Sequence, residues 1–195
     1  MPLTGYSLNK YVAQELADLN NPMARSVRGE FPNLDGWILT FILKSIFHFN
    51  LPERRAALAF ALLRRAQAAI EDYDEASVAL SRAARRESTI PEYFHALRKL
   101  ESSVAMLYQA YDFARKALSI KLFGSGDGTP YQRLNSIYNC SRHPDVTTLP
   151  SGHLHPVWVN DDGVYADGAK LGFDELEDLL REIGRIAERT ANGNV

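Results

Sequence analysis

Apolar residues recur at three- and four-residue spacing over most of this chain, and alternate with polar ones over one short stretch near residue 160. After Pro52 the chain contains neither glycine nor proline until Pro91. Within that run Leu58, Leu62, Ala66, Ala69, Tyr73, Ala76 and Leu80 fall on one stripe. This predicts a helix of about 35 residues, or roughly 52 Å at 1.5 Å per residue. Thr89-Ile90-Pro91 breaks it, and Thr89 or Pro91 starts a second helix. Its stripe is Phe94, Leu97, Leu100, Val104, Leu107, Tyr108, Tyr111, Ala114 and Leu118. Neither helix can bury its stripe alone, so the two pack as an antiparallel hairpin over residues 52–121. Small residues are frequent on the first helix (Ala56, Ala57, Ala59, Ala61, Ala66, Ala68, Ala69) and large aromatics on the second, a pairing suited to close packing.

Shorter elements flank the hairpin within residues 1–50. Leu8, Val12, Leu16 and Leu19 predict a helix over residues 7–19 with Ser7 as its N-cap. A turn-rich segment follows, and Asp35 is placed to cap a buried helix over residues 36–49, with Trp37, Phe41, Ile42, Ile46 and Phe49 on or near one face. Residues 130–143 read as a short helix. His-Pro-Val-Trp-Val, the turn Asn160-Asp161-Asp162-Gly163 and Val-Tyr-Ala predict a β-hairpin within 153–168. Leu176, Leu179, Leu180, Ile183 and Ile186 predict a final amphipathic helix over 173–190. The fold class is therefore mainly α, a helical bundle around a long helical hairpin with a small β-hairpin near the C-terminus. One domain over residues 1–195 is the natural expectation at this length.

Composition narrows the class. The chain is 46% hydrophobic and 24% charged, as in ordinary globular proteins. The single cysteine, Cys140, allows no intrachain disulfide and points to a reducing, cytoplasmic setting. The N-terminus lacks the basic and apolar regions of a signal peptide, and the apolar run Trp37 to Phe49 is too short to span a bilayer, so no membrane association is expected. A net charge of −2 argues against bulk electrostatic attraction to nucleic acid. The charge is uneven, however: residues 51–121 carry 12 basic and 9 acidic side chains, and 143–195 carry 4 and 10. Arg54, Arg55, Arg64, Arg65, Arg82, Arg85 and Arg86 supply most of the local basic excess, and a solvated helix face is its plainest explanation.

Candidate chemistry concentrates in Tyr131-Gln132-Arg133-Leu134-Asn135-Ser136-Ile137-Tyr138-Asn139-Cys140-Ser141-Arg142-His143-Pro144. On a helix, Asn139 and His143 are four residues apart and project from one side. Arg142 precedes His143 where Pro144 stops the helix. An amide, a guanidinium and an imidazole titrating near neutrality can together hold a phosphodiester and move protons on it. The same residues can instead cap a helix end, and spacing alone leaves both readings open.

A long helical hairpin followed by a short helix with N-x-x-x-H resembles the HEPN superfamily, whose motif is R-φ-x-x-x-H or R-N-x-x-x-H. The resemblance covers about residues 52–143. It implies a helical-bundle protein of a bacterial defence or toxin–antitoxin system that acts as a dimer, or with a partner protein, and binds or cleaves RNA without metal or other cofactor. Carried over by position, the catalytic role falls on His143, with Asn139 beside it. Tyr138 stands where the family has its arginine, and Arg142 is the nearest cation. Arg133, Arg142 and Tyr138 are the candidate RNA contacts. The alternative is a non-catalytic helical interaction or assembly subunit that packs through the hairpin's exposed surface.

Other constellations are thinner. Cys140 and His143 with His153 and His155, and Asp145 nearby, are zinc-competent residue types, although His153-x-His155 lacks a fixed partner. Trp158, Tyr165 and Phe173 have the faces to stack bases, yet such residues more commonly glue a hairpin to a bundle. Glu71, Asp72, Asp74 and Glu75 lie at carboxylate-bundle spacing, but neither long helix carries the E-x-x-H of a di-iron site. The glycines around Gly126 follow no strand and precede no GK[ST], so they form a connector and not a phosphate loop.

Overall fold

The computed structural model of the protein describes residues 9–10, 16, 19–47, 51–85, 89–118, 126–143, 155–166 and 168–193. The two long helices are present: α2 (Glu53–Ala84) and α3 (Thr89–Leu118), which pack along their lengths. Before them stand two short 3-10 turns, Arg28–Glu30 and Leu34–Gly36, and α1 (Trp37–Phe47). After them come α4 (Pro130–Arg142), strands β1 (Val157–Val159), β2 (Gly163–Ala166) and β3 (Ala169–Gly172), and α5 (Phe173–Ala191).

The α2–α3 seam repeats in alternating steps of three and four. On α2 it runs Ala59, Leu62, Ala66, Ala69, Tyr73, Ala76, Leu80, Ala83, all buried. On α3 it runs Tyr93, Ala96, Leu100, Ser103, Leu107, Ala110, Ala114, Ala117, again all buried. That spacing keeps one stripe facing the partner helix, and its many small members let the backbones approach. Ser103 Oγ crosses the seam to donate to the Ala69 carbonyl at 2.8 Å. The expectation of small residues on one helix and aromatics on the other is corrected here. Both seams are rich in small side chains, and Tyr108 and Tyr111 turn outward to meet α4 and α5.

α5 is the second organiser. It contacts each of α1 to α4 and β3, and all five of its predicted apolar residues are buried. Tyr111 Oη donates to the Leu179 carbonyl (2.9 Å) and to Glu182 Oε2 (2.8 Å). Glu177, almost fully enclosed, accepts from Tyr73 Oη at 2.9 Å, from the Arg25 amide at 2.7 Å and from Arg181 at 3.3 Å. A buried carboxylate is tolerated only with such partners. Burial, and then the neighbouring Glu177 charge, push the Tyr73 hydroxyl well above the ordinary phenol range.

The predicted β-hairpin is a three-stranded antiparallel sheet, order β1-β2-β3, with Trp158 opposite Tyr165 and Val164 opposite Leu171. The third strand follows a turn at Gly168, whose φ of +68° suits a residue without a side chain. The Asp161-Asp162 turn also holds the N-terminal segment. Asp161 Oδ1 accepts the Asn20 and Asn21 amides at 3.0 and 2.9 Å, and its carbonyl accepts that of Met23 at 2.7 Å.

Two N-terminal expectations change. Asp35 lies in the Leu34–Gly36 turn, and its carboxylate pairs with Arg28 Nη2 at 3.0 Å instead of capping α1. On α1, Trp37 and Phe41 are buried, but Ile42 and Ile46 face outward. Most of the predicted 7–19 helix lies outside the described residues, although Leu16 and Leu19 are in the core. Phe49, Arg86, Lys121, Asp145 and His153 also lie outside them. No helix among the described residues is long and apolar enough to cross a membrane.

Candidate functional site

The motif helix α4 starts where its sequence dictates. Thr129 is the N-cap, its hydroxyl accepting the Gln132 amide at 3.3 Å, and Pro130 occupies the first helical position. Tyr131, Leu134, Ile137 and Tyr138 form its buried face against α3, α5 and the sheet. Ser141 Oγ fastens the far end to Glu101 of α3 at 2.9 Å. The opposite face therefore carries the exposed residues.

Asn139, Arg142 and His143 emerge together at the exposed C-terminal end of α4. His143 is the C-cap, with φ −126° and ψ 65°, and its amide donates to the Asn139 carbonyl at 2.8 Å. A residue before proline avoids the helical region, which is why the helix stops here. The chain leaves the helical path at this residue, while its amide still closes the last turn on Asn139. Asn139 Nδ2 donates to Asn135 Oδ1 at 3.2 Å, one turn back.

Tyr138 is 8% exposed, and its ring stacks on Tyr108 of α3 at 4.5 Å between centroids with 19° between planes. Arg142 folds back one turn, Nη1 donating to the Tyr138 hydroxyl at 2.6 Å. The guanidinium is thus held over the Tyr138 hydroxyl from the following turn. Between α3 and α4 lies an open cleft of ≈ 580 Å³, lined by Ala105, Tyr108, Gln109, Asp112, Tyr138, Ser141 and Arg142. Asp112, on its α3 wall, is bonded by Lys116 and by Arg115. Its partial burial raises its pKa, but the bonds from Lys116 and Arg115 outweigh this and hold it below the ordinary carboxylate range. The cleft was not read from sequence. Its only signal is that Tyr108 and Asp112 are one turn apart on the face of α3 beside the seam.

The other candidates are placed elsewhere. Arg133 is clasped by Glu175 at the start of α5 and by the Gly128 carbonyl, which makes it a tie between elements and removes it from the Arg142 cluster. Glu71, Asp72, Asp74 and Glu75 are engaged structurally: Asp72 and Glu75 both bind Lys99 at 2.8 Å, Glu71 accepts from Gln67 at 2.9 Å, and Asp74 takes the Ser26 hydroxyl. The described arginines of the basic run are spread around the solvent side of α2, and Arg65 packs onto Met106 Sδ at 3.1 Å. Trp158 and Tyr165 stack on each other across β1 and β2 at 6.0 Å, while Phe173 is in the core.

Of the zinc-competent set, His155 Nδ1 lies 2.8 Å from the Val157 carbonyl and organises the start of β1. Among the described residues, no three histidine, cysteine or acidic side chains converge to hold a metal ion. No protein-family model matches the chain, and neither a curated protein nor a solved structure shows detectable similarity to it.

Proposed function

We propose that the protein is an HEPN-like helical module that engages RNA at the C-terminal end of α4. The observation that carries this reading is the joint exposure of Asn139, Arg142 and His143 beside the Tyr108–Tyr138 cleft. Arg142 offers charged donors to a phosphate, and Tyr108, half-buried in the cleft lining, offers aromatic surface to an unpaired base. His143 brings the imidazole of this cluster, the side-chain type suited to general acid–base work, so any RNA cleavage is assigned to it. The bacterial defence or toxin–antitoxin setting rests on the family resemblance alone.

Binding of labelled single-stranded RNA, measured for the wild type, Arg142→Ala and His143→Ala, tests the proposal. Loss of one phosphate contact weakens binding about 10-fold in Arg142→Ala and reduces the slope of log K against log salt by about 0.7. Cleavage, where seen, persists in EDTA and disappears in His143→Ala. Equal binding by all three proteins, with no cleavage by any, rejects the reading.

A second reading, a non-cleaving interaction module, is favoured by one specific feature. The family's arginine position holds a largely buried tyrosine whose hydroxyl is already bonded to Arg142. Its outcome in the same assay is binding or partner capture that His143→Ala leaves unchanged.

A further inference from the structure

We infer that the outer face of α1 is a self-complementary interface through which two copies of this chain associate. The helix is a single apolar run, Trp-Ile-Leu-Thr-Phe-Ile-Leu-Lys-Ser-Ile-Phe, and the fold covers only one side of it. Trp37 and Phe41 enter the core, whereas Leu39, Ile42, Leu43, Ile46 and Phe47 are 61, 40, 47, 68 and 70% exposed. These five follow the 39, 42/43, 46/47 spacing of one helical face, so they form a continuous stripe and not scattered surface residues. An isolated exposed leucine needs no explanation, but a contiguous stripe of this size does.

The occupant follows from area, charge and symmetry. The five residues leave roughly 600 Å² per chain in water at these exposures, so their full burial in a pair removes about 1,200 Å² in total, the lower end of stable interfaces. The helix has one charge, Lys44, and it is turned away: its ammonium bonds the Asn192 carbonyl at 2.9 Å and Asn192 Oδ1 at 3.2 Å, at the end of α5. The stripe itself is uncharged, so two copies meet without repulsion. The other exposed large apolar residues among those described are Met23, Val78 and Phe94, too few and too dispersed to receive it. The surface that matches this stripe is therefore the same stripe on a second chain, which is the condition for a two-fold, isologous pair. An antiparallel arrangement brings Leu39 of each copy toward Phe47 of the other and sets Leu43 against Leu43 on the axis. This interface differs from the hairpin surface considered for an assembly subunit, because the exposed apolar area is on α1. This inference does not rest on RNA binding at α4.

The test uses the full chain in sedimentation or light scattering up to about 100 µM, a range that captures micromolar self-association. Wild type is expected to be dimeric, and Leu43→Glu and Leu43→Arg each monomeric, since each sets like charges together on the axis. Position 43 is already half exposed, so both variants should keep wild-type helicity by circular dichroism. Mixing the two variants should restore a dimer containing one of each, because opposite charges then face each other. A wild type that stays monomeric throughout, including one that captures a different protein through α1, overturns the inference. So does a dimer that both substitutions leave intact.

Discussion

Gly184 shows how one residue sets the approach of two elements. It lies on the buried side of α5, where a β-carbon would stand 2.3 Å from Phe31 Cζ and under 3 Å from two further ring atoms. Phe31 cannot retreat easily, being 5% exposed and packed edge-on against Trp37 at 5.7 Å. Gly184→Ala adds helix propensity of about 1 kcal/mol, but the clash falls in the 1–3 kcal/mol range of overpacked cores. The expected net result is a protein about 1–2 kcal/mol less stable in urea unfolding, partly recovered by adding Phe31→Leu. A more stable single variant would show that the ring is not confined. Nothing in the sequence around Gly184 marks it, because the atoms that require glycine are about 150 residues away.

At the scale of elements, the α2–α3 seam is governed by side-chain size. Ser103 is fully buried and bonds the Ala69 carbonyl, which already belongs to a helix ladder. Ser103→Ala therefore leaves no buried donor or acceptor stranded and should cost about 1 kcal/mol or less. Ser103→Leu inserts bulk at a fully buried point of the seam, and should cost about 3 kcal/mol with a lower midpoint at unchanged denaturant slope. Comparable stability for the two variants would mean that the seam is loose at this level. The periodicity that announced both helices was local and legible. Which residues of each stripe face the partner was not, because a stripe wide enough to touch two neighbours carries two seams. Likewise, the short third strand Ala169–Gly172 is legible only in the Asp-Gly turn signal before it, since four residues ending in glycine have little strand character of their own.

For the whole molecule, the charge pattern predicts the response to acid. Bonds from Lys170 and then Tyr165 hold the Asp162 carboxyl below its ordinary range, and those from Lys116 and Arg115 do the same for Asp112 against its partial burial. A carboxylate with a lowered folded-state pKa contributes stability that is complete above the unfolded value near 4, and loses it as pH falls through the folded value. Thermal stability should therefore decline below about pH 4, and less steeply in an Asp112→Asn/Asp162→Asn variant. Both side chains are partly exposed, so the difference is modest and shrinks at high salt. Identical acid profiles for the two proteins at low salt would remove these carboxylates from the account.

The chain by itself determined where the long helices run, that they pair, and that α4 ends at His143. Those outcomes depend on periodicity, breakers and caps within a few residues of one another. Only the tertiary structure decided that Arg133 belongs to Glu175, that Arg142 turns back onto Tyr138, and that one side of α1 is left uncovered. An apolar run states that a surface prefers to leave water. Whether a neighbour arrives to cover it, or to claim a charged side chain, depends on residues brought close by the fold, which no local pattern records.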